Sequence, residues 1–377
     1  MKCLRCNNED PTYFYKGSKG YYCRKCIRFS RVLLEEELKS FDYQIAPDAG
    51  EYSFSYELTD TQKQISEKCL EALKKSDVLL HCVCGAGKTE ITVQSIAHYL
   101  EQGYKVAYAI SRKEVVIELA KRFQDIFRKA KVTAVYGGHH ECLKGDLIVC
   151  TCHQLFRYYR SFDLLVIDEA DAFPLKGNET LMNIALNSCR GRLIFSTATV
   201  DEQLAKILKK REVCTLKLYV RPSRKPLSVP QVICLPEAAA VFYLFRLMTL
   251  TANRCIIFVS AKRKCEQLYK IASRFFSCTY VYSDLKQRKE NIAAFREKKY
   301  RFLISTTVME RGITIPEVSV IILHYDGVFD EGNLVQMLGR VGRGVGYEEG
   351  RSYLFCAYKD RQVRKTVAYL KEANSHL

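Results

Sequence analysis

From about Leu58 onward the chain alternates between two patterns: short runs of apolar and β-branched residues, and longer helical stretches. The short runs predict strands at Val78–Val83, Val106–Ile110, Leu147–Cys150, Leu164–Ile167 and Leu193–Phe195, with helices between them such as Thr89–Leu100 and Lys113–Lys129. A second series follows, with strands at Val232–Leu235, Cys255–Val259, Thr279–Tyr282, Phe302–Ser305, Val318–Leu323 and Ser352–Cys356. Its helices fall at Ala238–Leu250, Ala261–Phe275, Leu285–Glu297 and Glu331–Leu338. Strands and helices alternating at this spacing make βαβ units and hence parallel sheets, so the fold class is α/β, one such domain after another.

Before Leu58 the pattern differs. Residues 1–30 are polar, aromatic and cysteine-bearing. Residues 31–56 form a connecting segment, with a short acidic helix expected at Glu35–Leu38, a turn at Pro47–Gly50, and the aromatics Tyr52, Phe54 and Tyr56. The first α/β domain is expected over 57–219 and the second over 231–377. The segment 220–230, opening with Val220-Arg221-Pro222-Ser223-Arg224-Lys225-Pro226, is the linker.

Composition narrows the class. The 377 residues are 48% hydrophobic and 27% charged, as in a soluble globular protein. No run approaches a membrane span, and Met1-Lys2-Cys3-Leu4-Arg5-Cys6 lacks the apolar core of a signal peptide, so the expected compartment is the cytoplasm. The net charge of +17 favours a polyanionic partner, nucleic acid ahead of an anionic membrane. Of 17 cysteines, Cys82, Cys150, Cys234, Cys255 and Cys356 sit in apolar runs and read as small core residues in a reducing compartment.

Cys84-Gly85-Ala86-Gly87-Lys88-Thr89 follows a predicted strand and opens a predicted helix. Glycines there let backbone N–H groups approach phosphates, and the helix N-terminus adds partial positive charge. Lys88 can reach the β- and γ-phosphates of ATP, and the Thr89 hydroxyl can hold Mg2+. Cys82 stands where the strict phosphate-loop pattern has its first glycine. Farther on, the apolar run Leu164–Ile167 ends in Asp168-Glu169-Ala170-Asp171. Asp168 at the strand tip can hold Mg2+ through water, and Glu169 can orient and polarise the attacking water.

With these residues in place the sequence resembles the superfamily 2 helicases, which implies two tandem RecA-like parallel-sheet domains. Asp168–Asp171 spells the DEAD box, and Ser196-Thr197-Ala198-Thr199 resembles motif III, which couples nucleotide state to domain movement. Ser111-Arg112 resembles motif Ia, and Thr151 to Leu155 motif Ib, both nucleic-acid-contacting. Leu58-Thr59-Asp60-Thr61-Gln62 resembles an L-T-x-x-Q motif that reads adenine through Gln62. Thr306 to Gly312 resembles motif V, with Gly312 on the nucleotide side, and Gln336 to Arg343 resembles motif VI. The resemblance implies that Arg340 and Arg343 meet the γ-phosphate as arginine fingers on domain closure, with Gln336 helping to place the water. A proline-containing Q motif, P-T-R-E-L-A and a histidine-led motif VI, usual in RNA helicases, are absent; the Gln-led motif VI looks more like that of DNA translocases.

Cys3-x-x-Cys6 and Cys23-x-x-Cys26 are separated by 16 residues, which suits a tetrahedral four-cysteine Zn2+ ribbon. Tyr13, Phe14, Tyr15, Tyr21 and Tyr22 can pack on that site or stack on bases. Lys2, Arg5, Lys16, Lys19, Arg24, Lys25 and Arg28 make the module basic. His139, His140 and Cys142 read as a solvated loop rather than a second metal site.

A small zinc module ahead of a DEAD-type motor resembles the cytosolic ATPases of DNA uptake in competent Gram-positive bacteria. That resemblance implies a motor on single-stranded DNA, a ComFC-like competence protein and the membrane DNA-uptake channel as partners, a homo-oligomer, and a place at the inner face of the membrane. A duplex-unwinding helicase of the primosomal or repair type, and a non-catalytic zinc-dependent DNA-binding adaptor, are the alternatives.

Overall fold

In the computed structural model, which describes residues 1–251, 253–307, 315, 317–342 and 350–377, the apolar runs become strands of two separate parallel sheets. The chain divides into two units: Met1–Cys82 with Gly87–Leu218, and Val83–Ala86 with Tyr219–Leu377.

The first unit begins with a hairpin of β1 (Phe14–Gly17) and β2 (Gly20–Cys23). Helix α1 (Asp60–Leu73) follows the connecting segment, and Thr59 and Gln62 close its N-terminus as a reciprocal capping box. The seven-stranded sheet comprises β3 (Asp77–Cys82), β4 (Val106–Ile110), β5 (Val132–Val135), β6 (Leu147–Thr151), β7 (Phe162–Asp168), β8 (Cys189–Thr197) and β9 (Val213–Leu218). Their order is β5-β6-β4-β7-β8-β3-β9, so β3 lies two strands from β7, with β8 between. Helices α2 (Lys88–Glu101), α3 (Lys113–Ile126), α4 (Glu179–Ser188) and α5 (Glu202–Lys209) make the crossovers. Strands β4 and β6 are buried along their whole length, as strands covered on both faces must be.

The second unit carries β10 (Gln231–Cys234), β11 (Arg254–Phe258), β12 (Cys278–Val281), β13 (Phe302–Ser305), β14 (Val318–Leu323) and β15 (Ser352–Cys356), in the order β10-β15-β14-β11-β13-β12. Helices α6 (Glu237–Leu250), α7 (Lys262–Ala272), α8 (Arg288–Arg296), α9 (Glu331–Leu338) and α10 (Arg361–Asn374) accompany them. Among the described residues no helix is long and apolar enough to cross a membrane.

Two expectations are corrected. Glu35–Leu38 is not helical. Four residues are too few to repay helix nucleation; the chain makes a single turn at Leu34 and Glu35, with Glu36 N donating to Leu33 O, and its flanks are held elsewhere: Leu33 bridges Tyr22, and the Lys105 ammonium donates to Phe41 O at 3.0 Å. Cys234 is exposed, because β10 is an edge strand; Cys82, Cys150, Cys255 and Cys356 are buried.

Asp77 pins the start of β3. Its buried carboxylate accepts from Leu193 N at 2.9 Å and from Arg211 Nε at 2.6 Å. Asp77→Ala strips both donors of a charged acceptor and is expected to destabilise the first unit by about 2 kcal/mol. Urea-unfolding midpoints would show this, with a smaller loss for Arg211→Ala.

Candidate functional site

The turn between β3 and α2 has the backbone of a phosphate loop. Gly85 and Gly87 take φ of +82° and +83°, a region glycine enters without cost, and Gly87 is the N-cap of α2. Lys88 and Thr89 therefore occupy the first turn, where free N–H groups and the helix dipole favour an anion. Gln62 reaches this loop because it is the third residue of α1. Its Oε1 accepts from Thr59 N at 3.0 Å, and a Cβ at Gly87 would collide with its amide nitrogen. Gln62, which the resemblance implies reads adenine, lies against the phosphate loop, 5% exposed.

Strand β7 delivers the two carboxylates. Asp168 is paired in register with Ser196 of β8, and its Oδ1 accepts from Ser196 Oγ at 2.8 Å and from Glu169 N at 3.0 Å. Glu169 takes φ of +52°, in the left-handed region that is uncommon for a residue with a side chain. Such strain clusters at active sites. Asp171, 2% exposed, accepts from Thr199 Oγ1 at 2.5 Å. The Thr197 hydroxyl lies 2.6 Å from Asp171 Oδ1 and 2.6 Å from Thr199 O, so its single proton serves one of the two. Hydroxyls of Ser196, Thr197 and Thr199 thus tie the DEAD residues to the end of β8. His81 of β3 joins the same end, its Nε2 3.0 Å from Ala198 O. Burial, and less strongly the nearby Lys217 and Lys88, hold His81 below its ordinary pKa, so it is neutral at pH 7.

Tyr108 escaped the sequence reading. It lies on β4 opposite Val166 of β7, wholly buried, and its hydroxyl sits near Thr89 and Asp168 without a well-formed hydrogen bond among the described residues. Burial first, and then the charge of Asp168, push its phenol well above the usual value, and Thr89 is the next neighbour. Thr89, Asp168 and the orphaned hydroxyl are hard oxygen groups, a donor set that fits Mg2+. Nothing in an apolar run signals a tyrosine aimed at a carboxylate three strands later in sequence; only the order β4-β7 does.

Glu90, next to Thr89, is equally hidden in the sequence. It accepts from Tyr56 Oη at 2.8 Å and pairs with Arg122. Beside it Tyr52, Phe54, Tyr56, Leu58 and Lys63 wall a cavity of about 360 Å3, wide enough for a planar ring.

The four predicted cysteines come together. The sulfurs of Cys3, Cys6, Cys23 and Cys26 all lie within 4.8 Å of one another, buried, the one such group among the described residues. Cys3 and Cys26 are 3.7 Å apart and Cys6 and Cys23 3.8 Å. Zn–S bonds of about 2.3 Å in a tetrahedron place sulfurs about 3.8 Å apart, so the cluster fits zinc. Shared protons pull Cys3 far down, through hydrogen bonds from Cys26 and then Cys6, and drive Cys6 up. Arg5 is no surface cation but a second layer: 3% exposed, it donates from Nη2 to Cys26 O at 2.8 Å and to Cys26 Sγ at 3.3 Å.

This module is built into the first unit. Its cysteines share an apolar cluster with Cys152, Leu155 and Leu181. The Asn187 side chain donates to Leu4 O and Arg5 O at 3.0 and 3.1 Å. Phe29 packs on His153 and Phe156 with centroids 6.3 and 5.7 Å apart. These belong to the 3-10 turn Cys152–Arg157, which carries motif Ib after Thr151. Ser111 and Arg112, of motif Ia, follow β4, and Arg112 is the N-cap residue of α3.

In the second unit Gln336 lies on α9 and Arg340 just past its end; both are buried, at 4% and 2% exposure. Thr306 follows β13. Gly312 and Arg343 lie outside the described residues.

Two family models match the chain: a DEAD/DEAH box helicase over residues 59–207 and a helicase conserved C-terminal domain over residues 239–345. Competence protein ComFA of Streptococcus pneumoniae is 33% identical over 389 residues, covering 99% of this chain and 90% of that one. ComFA of Bacillus subtilis is 31% identical, covering 99% and 85%. Among solved structures, Saccharomyces cerevisiae Dbp5 bound to RNA and ADP BeF3 superposes with a TM-score of 0.62 at 20% identity, over 83% of this chain and 88% of that one. That likeness identifies both sheets as RecA-like domains.

Two outcomes follow from this geometry. Tyr108→Phe removes a buried unpartnered hydroxyl and is expected to stabilise the nucleotide-free protein by about 1 kcal/mol, read as a higher Tm, while raising the Mg2+ concentration needed for half-maximal ATP hydrolysis. Cys23→Ser is expected to abolish bound zinc, measured by elemental analysis, and to raise amide exchange over residues 152–157, which rest on the module through Phe29.

Proposed function

The chain belongs to the ComFA family of helicase-like, ATP-hydrolysing competence proteins, and we propose that it is a translocase that draws single-stranded DNA into the cell. The observation that supports this reading most directly is the hydroxyl ladder between the DEAD carboxylates and motif III. A change at Asp168 on nucleotide binding is felt at Ser196, and a change at Asp171 at Thr197 and Thr199. Sites that only bind nucleotide have no use for such a relay.

ATP phosphates would lie on the N-terminus of α2, with Lys88 on the β- and γ-phosphates. Thr89, and through water Asp168, would hold Mg2+, which would supply charge neutralisation at those oxygens. Glu169 orients the attacking water and Gln336 helps to place it. Arg340 and Arg343 come from the second motor domain, 231–377, and meet the γ-phosphate as it closes on the first, 57–219, about the linker 220–230. Closure changes the grip of motifs Ia and Ib on the strand; hydrolysis releases it, and alternating grips move the strand one way.

Backbone contact without base readout suits a motor that accepts any sequence, and the net charge of +17 supports it. The four-cysteine cluster binds Zn2+. By family, the partners are a ComFC-like protein and the membrane uptake channel, with the motor assembled as a homo-oligomer at the inner face of the membrane.

The test is steady-state ATP hydrolysis with single-stranded DNA, single-stranded RNA, duplex DNA or no nucleic acid. Single-stranded DNA alone is expected to stimulate, with stimulation falling steeply as salt rises. Lys88→Ala and Glu169→Gln are each expected to lower turnover at least a hundredfold, about 3 kcal/mol in the barrier. Equal stimulation by RNA would point to a general helicase, and no turnover under any condition to an adaptor.

A further inference from the structure

The N-terminal hairpin carries a surface that neither the cysteine cluster nor the packing on the first unit uses. Its register sets Tyr15 opposite Tyr22, on the face away from Phe14 and Cys23. The two rings meet edge-on, with centroids 5.7 Å apart. The Arg24 guanidinium lies 6.0 Å from the Tyr15 ring and that of Arg31 4.7 Å from the Tyr22 ring. Alongside, the Lys25 ammonium is 5.5 Å from the ring of Tyr13 and 3.9 Å from Glu179. Tyr13 and Tyr15 are 41% and 52% exposed, so both rings reach water.

The surroundings are one-sided in charge. Residues 1–31 hold eight Lys and Arg against two acids. Both acids are engaged locally: Glu9 pairs with Lys2 at 2.9 Å and Asp10 caps the turn at Thr12. Aromatic faces interleaved with guanidinium groups match a single strand of nucleic acid, whose bases stack and whose phosphates need cations. They do not match an apolar protein helix, which offers the arginines nothing.

A second cationic surface belongs to the same module. Where the module sits on motif Ib, Arg28 lies over Phe29 at 4.8 Å and Arg157 over Phe156 at 4.7 Å, so the seam is flanked by two cations. We propose that the four-cysteine module extends the motor's single-stranded DNA track: the strand passes from motif Ib over Arg28 and Arg157 and lays bases on Tyr13 and Tyr15. The cysteine cluster then serves as the rigid mount of a second grip. This rests on the reading of the chain as a single-stranded DNA motor.

The experiment uses the full-length chain purified with zinc. Fluorescein-labelled oligothymidines of about 6 and about 20 nucleotides, one shorter and one longer than a single groove's site, are titrated and followed by anisotropy. The parent is expected to hold the long oligomer more tightly than length statistics alone allow. Tyr13→Ala/Tyr15→Ala should lose about tenfold on the long oligomer and little on the short one, with zinc content and ATP hydrolysis without DNA unchanged. Tyr15→Phe should restore binding in the Tyr15→Ala background position, because the stacking face is kept. Arg24→Ala, which leaves the rings in place, should flatten the salt dependence for the long oligomer only. Equal binding of both lengths by parent and variants overturns the proposal and leaves the motor intact. Failure of the parent to bind either oligomer overturns the motor reading and this track with it.

Discussion

Two carboxylates at the buried end of β7 set the terms for the first unit. Asp168 and Asp171 are 7% and 2% exposed, and buried charge is tolerated only when hydrogen-bonded. The donors come from the neighbouring strand, as Ser196, Thr197 and Thr199. The sheet must therefore place β8 beside β7 in a register that aligns Asp168 with Ser196, and β3 beside β8, so that the phosphate loop leaves the sheet at the same end. In parallel sheets that carboxyl end is where ligands bind. The need to satisfy two acids and the need to gather a nucleotide site are met by one strand order.

The same constraint accounts for the relay. Because the acids have no solvent to fall back on, any ligand that repositions Asp168 must also move Ser196, and the end of β8 follows. Glu169 takes positive φ where the chain leaves β7, and its backbone N–H donates to Asp168. Strain and hydrogen bond stand together at the residue assigned to water activation.

The N-terminal module obeys a different rule. Thirty residues bury too little apolar surface to stand alone, and the chain supplies two remedies. One is the cysteine cluster, with Arg5 folded inward to donate to a sulfur. The other is fusion to the motor, with Phe29 on the motif Ib turn and Asn187 closing the loop at Leu4 and Arg5.

What the sequence determined by itself is whatever depends on spacing along the chain. The strand–loop–helix around Lys88, the acidic run at the end of β7 and the four cysteines were all legible, because a loop between strand and helix or a pair of C-x-x-C knuckles is a local arrangement. The apolar central strands were legible too, β4, β13, β14 and β15 to the residue, since burial on both faces leaves nothing polar to interrupt them. Strands β5 and β9 were not, because their apolar residues are half solvated and interrupted by Thr and, in β9, Lys. Tertiary structure alone decided the rest. Tyr108 faces Asp168 because β4 lies beside β7; Gln62 touches Gly87 because α1 packs on α2; Arg5 turns inward because Cys26 is near; Glu35–Leu38 makes no helix because Leu33 and Phe41 on either side are already held. Each depends on which elements become neighbours, and neighbours are set by the packing of whole sheets, not by any window of sequence.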